Sequence, residues 1–155
     1  MRDTIPAWVG GRLVPVDKLE VHRRGLRHPA VSVFLLDGER TLIQRRALGK
    51  YHTPGLWANA CCTHPALGEE PAACALRRLR EELGIRGHDL RWRDRIEYRA
   101  DDRTPLAPDP AEVMEVRWVT LDALRAEVAE TPEAFTPWLR IYLADHGSRL
   151  FGRAA

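Results

Sequence analysis

The sequence predicts one α/β domain over residues 1–155, of the α+β type and arranged as a sandwich, not as a doubly wound parallel sheet. Three observations predict it. Strand-like runs flank a turn at Asp37-Gly38, a long helical period begins only after residue 70, and a further strand-like run precedes two helical segments near the C-terminus. Strands and helices mixed in this order do not form the regular βα alternation of a doubly wound sheet.

Each element has its own signal. Trp8-Val-Gly-Gly-Arg-Leu-Val14 reads as a short strand or hairpin. Ala30 to Leu36, the turn Asp37-Gly38 and Thr41 to Gln44 read as strand, turn and strand. Gly49 to Gly55 is predicted as a loop and Leu56 to Cys62 as extended. Ala72, Leu76, Leu79 and Leu83 recur at helical spacing, with Gly84 suited to the stop. Residues 90–99 and Val113 to Val119 read as strands, and helices are expected from about Leu121 and about Pro132.

Composition excludes several classes of function. A chain of 155 residues can bury a substantial core. Its formal net charge of +2 is too small to argue for nucleic acid through bulk electrostatics. Basic residues nevertheless cluster at Arg23-Arg24, Arg45-Arg46 and Arg77-Arg78-Leu-Arg80, which leaves local anion sites open. Three cysteines, two of them adjacent, make no disulfide framework and point to a reducing compartment. With no signal peptide and no apolar run of membrane-spanning length, the sequence predicts a soluble, cytoplasmic protein that binds neither nucleic acid nor membrane.

The chemistry concentrates in Trp57-Ala-Asn-Ala-Cys-Cys-Thr-His-Pro65 and the helix carrying Arg77-Arg78-Leu-Arg-Glu81-Glu82-Leu-Gly84. In an extended segment alternate side chains share a face, so Cys62 and His64 point one way and Cys61 the other. A potential proton donor thus stands beside a potential metal ligand, ahead of paired carboxylates.

These motifs, in this order, resemble the type I isopentenyl diphosphate isomerases, which have a Nudix-like fold, an α/β/α sandwich with a mixed sheet. The resemblance rests on His22 and His28, Leu42-Ile-Gln-Arg-Arg46, Lys50 and Pro54-Gly-Leu-Trp-Ala-Asn59. It continues through Cys62-Thr-His-Pro65, Leu67-Gly-Glu69, Arg77-Arg78…Glu82-Leu-Gly84, Glu97-Tyr-Arg-Ala100, Val116-Arg-Trp118 and Phe135-Thr-Pro-Trp138. It spans residues 8 to 145. Glu69, Arg77, Glu81, Glu82 and Gly84 also fit the box of the Nudix hydrolases. Two positions depart from that box, Thr63 for a glycine and Arg78 for a metal-binding glutamate, and both weigh against hydrolysis.

The resemblance implies interconversion of isopentenyl and dimethylallyl diphosphate. The alkene is protonated, a tertiary carbocation-like intermediate forms, and a proton leaves C2. Cys62 matches one acid/base group and Tyr98 a tyrosine of the reaction cavity. His22, His28 and His64 match three ligands of a divalent ion (zinc, manganese or magnesium). Glu82 matches a carboxylate that joins a magnesium ion carried by the diphosphate. Arg46, Lys50 and Arg78 match diphosphate-binding cations, and Trp138 an aromatic whose face stabilises positive charge. Cys61 and Cys74 are expected as buried packing groups, Glu81 as a surface partner of Arg77, and Trp8, Trp57, Trp92 and Trp118 as core.

One part of the pattern is missing. The family follows Tyr98-Arg-Ala100 with a loop and an inner strand opening Glu-x-Glu, which supplies the remaining metal ligands and the second acid/base group. Here Asp101-Asp-Arg-Thr-Pro105 runs almost directly into Asp109-Pro-Ala-Glu-Val-Met-Glu115. Roughly 20 residues, a strand with its loops, are absent. Asp101 and Asp102 are too short and wrongly spaced to stand in for the glutamates. A diphosphate-binding remnant without turnover, or a Nudix-type hydrolase, are therefore the alternatives to an isomerase.

Overall fold

A computed structural model of the chain describes residues 3–50, 53–86, 89–93, 95 and 113–151. Contacts divide the chain into two units, one drawn from Met1–Val33 with Cys61–His88, the other from Phe34–Ala60 with Asp89–Ala155.

The first unit opens with a hairpin. Strands β1 (Thr4–Val9) and β2 (Arg12–Asp17) pair antiparallel, with Val9 opposite Arg12. The two-residue connection requires positive φ, which Gly10 at 57° and Gly11 at 76° supply without a Cβ clash. The hairpin extends beyond the predicted Trp8 to Val14 at both ends. Ile5 and Ala7 pack against Val21 of helix α1 (Lys18–Arg23). The carboxylate of Asp17 caps that helix, accepting from the Glu20 N–H at 3.1 Å.

Strands β3 (Val31–Val33) and β7 (Cys61–Thr63) pair antiparallel, and helix α2 (Pro71–Leu83) packs against both. Pro71 suits the first helical turn, where its missing N–H has no intrahelical partner to lose. Gly84, at φ 69°, ends the helix where predicted: its N–H reaches the Arg80 carbonyl, and Ile85 N–H reaches that of Leu79. The buried face is Cys74, Ala75 and Leu79, whereas Leu76 is exposed.

The second unit is organised around β5 (Arg40–Arg46), which pairs antiparallel with β4 (Leu36–Asp37), β6 (Trp57–Asn59) and β8 (Val113–Thr120). Helix α3 (Leu121–Glu130) follows β8 directly, capped by the Thr120 hydroxyl. Arg117 of β8 forks onto Glu127 of α3 at 3.0 and 2.5 Å and lies over the Trp57 ring at 4.6 Å. A 3-10 turn at Pro132–Ala134, α4 (Pro137–Asp145) and α5 (Gly147–Phe151) complete the unit. Ile43, Leu124, Phe135 and Leu139 are buried in it.

Several expectations are corrected. The run from Ala30 to Leu36 breaks after Val33: β3 takes β7 as partner, and only the short β4 forms the hairpin across Asp37-Gly38. Leu56 to Cys62 likewise divides at Ala60 into β6 and β7, which pair with different strands. Residues 90–93 form no strand, and 96–99 lie outside the described residues. The helix expected from Pro132 begins at Pro137. Trp92 and Trp118 are not core residues, being 72% and 44% exposed. Among the described residues every strand ladder is antiparallel, and parallel pairing is confined to the isolated bridge Trp57–Phe135. No described helix is long and apolar enough to cross a membrane.

Candidate active site

Three imidazoles converge in the first unit. His22 comes from the last turn of α1, His28 from the segment before β3, and His64 from the residue after β7. Their ring centroids lie 4.9 Å (His22–His28), 4.9 Å (His28–His64) and 5.5 Å (His22–His64) apart. One ligand atom from each lies within 4.8 Å of the other two.

The backbone settles two of the tautomers. His28 Nδ1 stands 2.7 Å from the Leu26 carbonyl, and His64 Nδ1 stands 3.2 Å from the Pro29 carbonyl. A carbonyl only accepts, so in each ring Nδ1 carries a proton and Nε2 faces away from that bond. Such outer hydrogen bonds orient imidazole ligands. Burial, reinforced by His28, lowers His64 to a pKa of about 3, so it is neutral at pH 7. Three imidazoles converging in this way fit a divalent transition-metal ion.

Beside His64, β7 carries two thiols in opposite environments. Cys62 is cross-strand partner to Ser32 of β3, and the Ser32 Oγ lies 3.2 Å from Cys62 Sγ, with either atom able to donate. Cys61 points the other way and is fully buried, and burial together with Glu82 pushes its thiol up. Burial also raises Cys74, to about 11. These two remain protonated packing groups, as expected, while Cys62 is partly exposed.

The helix α2 charges form a chain of ion pairs. Arg78 donates to Glu81 at 2.8 Å and to Glu82 at 2.6 Å, and the Glu82 side chain is only 6% exposed. An expected diphosphate cation and an expected magnesium ligand are thus joined to each other. Glu81 also meets Arg77, at 3.3 Å, the predicted i,i+4 pair. Glu69 accepts a fork from Arg77 at 2.8 and 2.9 Å and the Ala66 N–H at 2.8 Å. Those donors hold its carboxyl down to about 2. It organises the turn ahead of α2.

The second unit carries Arg46, Lys50 and Trp138. Arg46 ends β5, with its N–H on the Leu56 carbonyl and its own carbonyl receiving the Gly55 N–H. Its guanidinium carbon lies 5.4 Å from the centre of the Trp138 ring. Trp138, in the first turn of α4 and 4% exposed, donates its indole N–H to the Asn59 side-chain oxygen at 3.2 Å. Lys50 sits in the loop after β5, its backbone N–H on the Ala47 carbonyl at 3.1 Å. Tyr98, the remaining expected site residue, lies outside the described residues, as do His52 and His88. His146 contacts Arg149 at 3.0 Å.

Two contacts of the site carry no signal in the residue pattern. Ser32 becomes visible only through the β3–β7 register, and the role of Asn59 only through its contact with a residue 79 positions away.

Comparison with known proteins follows the same lines. The NUDIX domain family matches residues 26–139. An isopentenyl-diphosphate Delta-isomerase of Cereibacter sphaeroides is 59% identical over 172 aligned positions, covering 99% of this chain and 97% of that protein. One from Dinoroseobacter shibae is 58% identical over 174 positions (100% and 99%), and one from Ruegeria pomeroyi is 56% identical over 167 (96% and 93%). A crystal structure of a Deinococcus radiodurans protein, 19% identical, matches with a TM-score of 0.66 over 91% of this chain and 97% of its own, a likeness of fold. The Cereibacter alignment holds 172 positions against a chain of 155 residues, so at least 17 face no residue here. Both proteins are covered almost end to end, so these positions are internal.

Proposed function

The chain belongs to the isopentenyl-diphosphate Delta-isomerases of the Nudix superfamily, and from that membership we propose that it interconverts isopentenyl and dimethylallyl diphosphate by metal-dependent proton transfer. The observation that carries the mechanism is the convergence of His22, His28 and His64, with Cys62 two residues before the last of them.

His22, His28 and His64 would hold one divalent ion, and Glu82 would join a magnesium ion brought by the substrate; when bound, these ions neutralise the diphosphate and polarise groups around them. Arg46, Lys50 and Arg78 grip the diphosphate oxygens. Arg78 can do so by exchanging its bonds to Glu81 and Glu82 for phosphate oxygens.

Cys62 transfers one proton of the reaction, with Ser32 fixing the direction of its sulfur. Adding a proton at the terminal alkene carbon leaves positive charge at the tertiary carbon. Losing a proton from C2 then forms the new double bond, with no net oxidation. Trp138 and Tyr98 line the hydrocarbon side in this reading.

A second reading is favoured by the absent positions and the lack of a Glu-x-Glu after Ala100: a protein that binds prenyl diphosphate without turning it over. Incubation of metal-loaded protein with isopentenyl diphosphate, followed by proton NMR, separates the two. Isomerisation predicts growth of the dimethylallyl methyl signals, lost in Cys62→Ala. No product from a protein that still binds pyrophosphate with magnesium would support the silent reading.

A further inference from the structure

The β3–β7 ladder has two faces with different tasks. Val33 stands opposite Cys61, and Ser32 stands opposite Cys62. Directly opposed residues of an antiparallel pair share a face, and their neighbours take the other. Val33 and Cys61 are buried, and the Cys61 thiol senses Glu82 and Arg78, so this face meets α2. Ser32 and Cys62 occupy the opposite face, both partly exposed, with Oγ 3.2 Å from Sγ. Packing on α2 therefore does not account for a serine at position 32, whose hydroxyl lies against the sulfur assigned to proton transfer.

We propose that Ser32 is a positioning residue whose hydroxyl stays bonded to the Cys62 sulfur through the whole proton transfer and reverses its role as the proton moves. The inference rests on reading Cys62 as an acid/base group. A serine hydroxyl has one donor and two lone pairs, so it accepts from a thiol and donates to a thiolate. When Cys62 gives its proton to a substrate carbon, the S–H bond breaks, a C–H bond forms and the S–H electron pair stays on sulfur. Ser32 keeps its own proton and turns it toward the thiolate by rotation about its Cβ–Oγ bond. The opposite transfer runs through the same states in reverse. Neither strand has to move, and the sulfur keeps one direction in both protonation states, as an aligned transfer requires.

Three measurements on the metal-loaded protein test this: steady-state kinetics with isopentenyl diphosphate, calorimetry with magnesium pyrophosphate, and infrared absorption in the S–H stretching region. Ser32→Ala is expected to lower kcat about 10-fold to 30-fold, as loss of alignment does, with pyrophosphate affinity within about twofold of the parent. Ser32→Thr and Ser32→Val have the same shape, both suit a strand, and differ in the hydroxyl. The threonine variant should keep most of the turnover and the valine variant should fall as far as Ser32→Ala, which preserves the test if the alanine variant does not fold. Added to Cys62→Ala, the Ser32 change should lower the residual rate no further. The contribution of Cys62 to the infrared spectrum, obtained by subtracting that of Cys62→Ala, should change in Ser32→Ala and return in Ser32→Thr, a readout independent of turnover.

Parent-like kcat in folded Ser32→Ala and Ser32→Val, while Cys62→Ala is inactive, would overturn the inference and leave the role of Cys62 standing. Equal losses in the threonine and valine variants would overturn it as well, by reducing position 32 to packing. So would a Cys62 infrared contribution that ignores Ser32→Ala. Parent-like turnover by Cys62→Ala, or no turnover by the parent, would overturn both the inference and the reading beneath it.

Discussion

The first unit holds two of its imidazoles with backbone carbonyls, and the second places Arg46 over the ring of a neighbouring side chain. His28 and His64 each give a proton to a main-chain oxygen, while Arg46 lies on an indole that is tied to a buried amide. The difference follows from what each group must do. An imidazole that ligates a metal must present one defined nitrogen, and a carbonyl, unable to donate, decides which. A guanidinium placed over an aromatic face is restrained by the attraction of the ring for a cation. Under the proposed function the first unit supplies Cys62, the three histidines, Arg78 and Glu82, and the second supplies Arg46, Lys50 and Trp138.

That division can be broken by the variants it predicts. The largest effect belongs to Cys62→Ala, which should lower kcat by about 10³-fold, within the range of general acid–base catalysis. Pyrophosphate affinity, measured by calorimetry, should stay within about twofold. A variant with parent activity would remove Cys62 from the mechanism. Next, His28→Ala and His64→Ala should each reduce the divalent metal retained after dialysis by well over half and lower turnover with it, as read by atomic emission. Full metal content in both would dissolve the histidine site.

Smaller effects sharpen the comparison. Arg46→Ala should weaken pyrophosphate by about 10-fold to 100-fold, the loss of one charge-assisted contact of 1.5–3 kcal/mol, and lower saturated turnover far less. A collapse of kcat at unchanged affinity would place Arg46 with the chemistry instead. Arg78 crosses the division, because it belongs to the first unit and pairs with Glu82.

The smallest effect is on acid stability. The Arg77 fork holds Glu69 at about 2, below its usual 4.5, so the folded state favours the charged carboxylate. This contribution is fully present above pH 4.5 and is lost as pH falls toward 2. Urea midpoints across that window should fall less steeply for Glu69→Gln than for the parent. Parallel curves would show that the ion pair contributes nothing measurable.

How much of this was legible in the sequence varies with the range of the interaction. Helix α2 was readable because its signals are local: the spacing of Leu79 among its neighbours and a glycine at the one position that needs positive φ. The break after Val33 was not, since Val31 to Leu36 is apolar nearly throughout and its change of partner depends on β7, some 30 residues away. Within the site, the alternation of Cys61 and Cys62 followed from strand geometry, and their contrasting burial bears it out. His22, His28 and His64 are scattered over 42 positions, and only resemblance to a family joined them before the structure did. Ser32 and Asn59 stayed hidden because a strand register and a helix start place their partners. Trp118 was misjudged as core because its strand exposes Met114, Val116 and Trp118 on alternate positions.

The most direct measurement is deuterium exchange into the substrate. Metal-loaded protein incubated with isopentenyl diphosphate in D2O should place deuterium at C2 and at the terminal carbon, since both proton transfers, the one at Cys62 included, draw on solvent. Cys62→Ala should slow this by the same factor as turnover. If substrate recovered from a protein that binds magnesium pyrophosphate normally carried no deuterium, the proton-transfer account would be contradicted, and the chain would bind prenyl diphosphate without isomerising it.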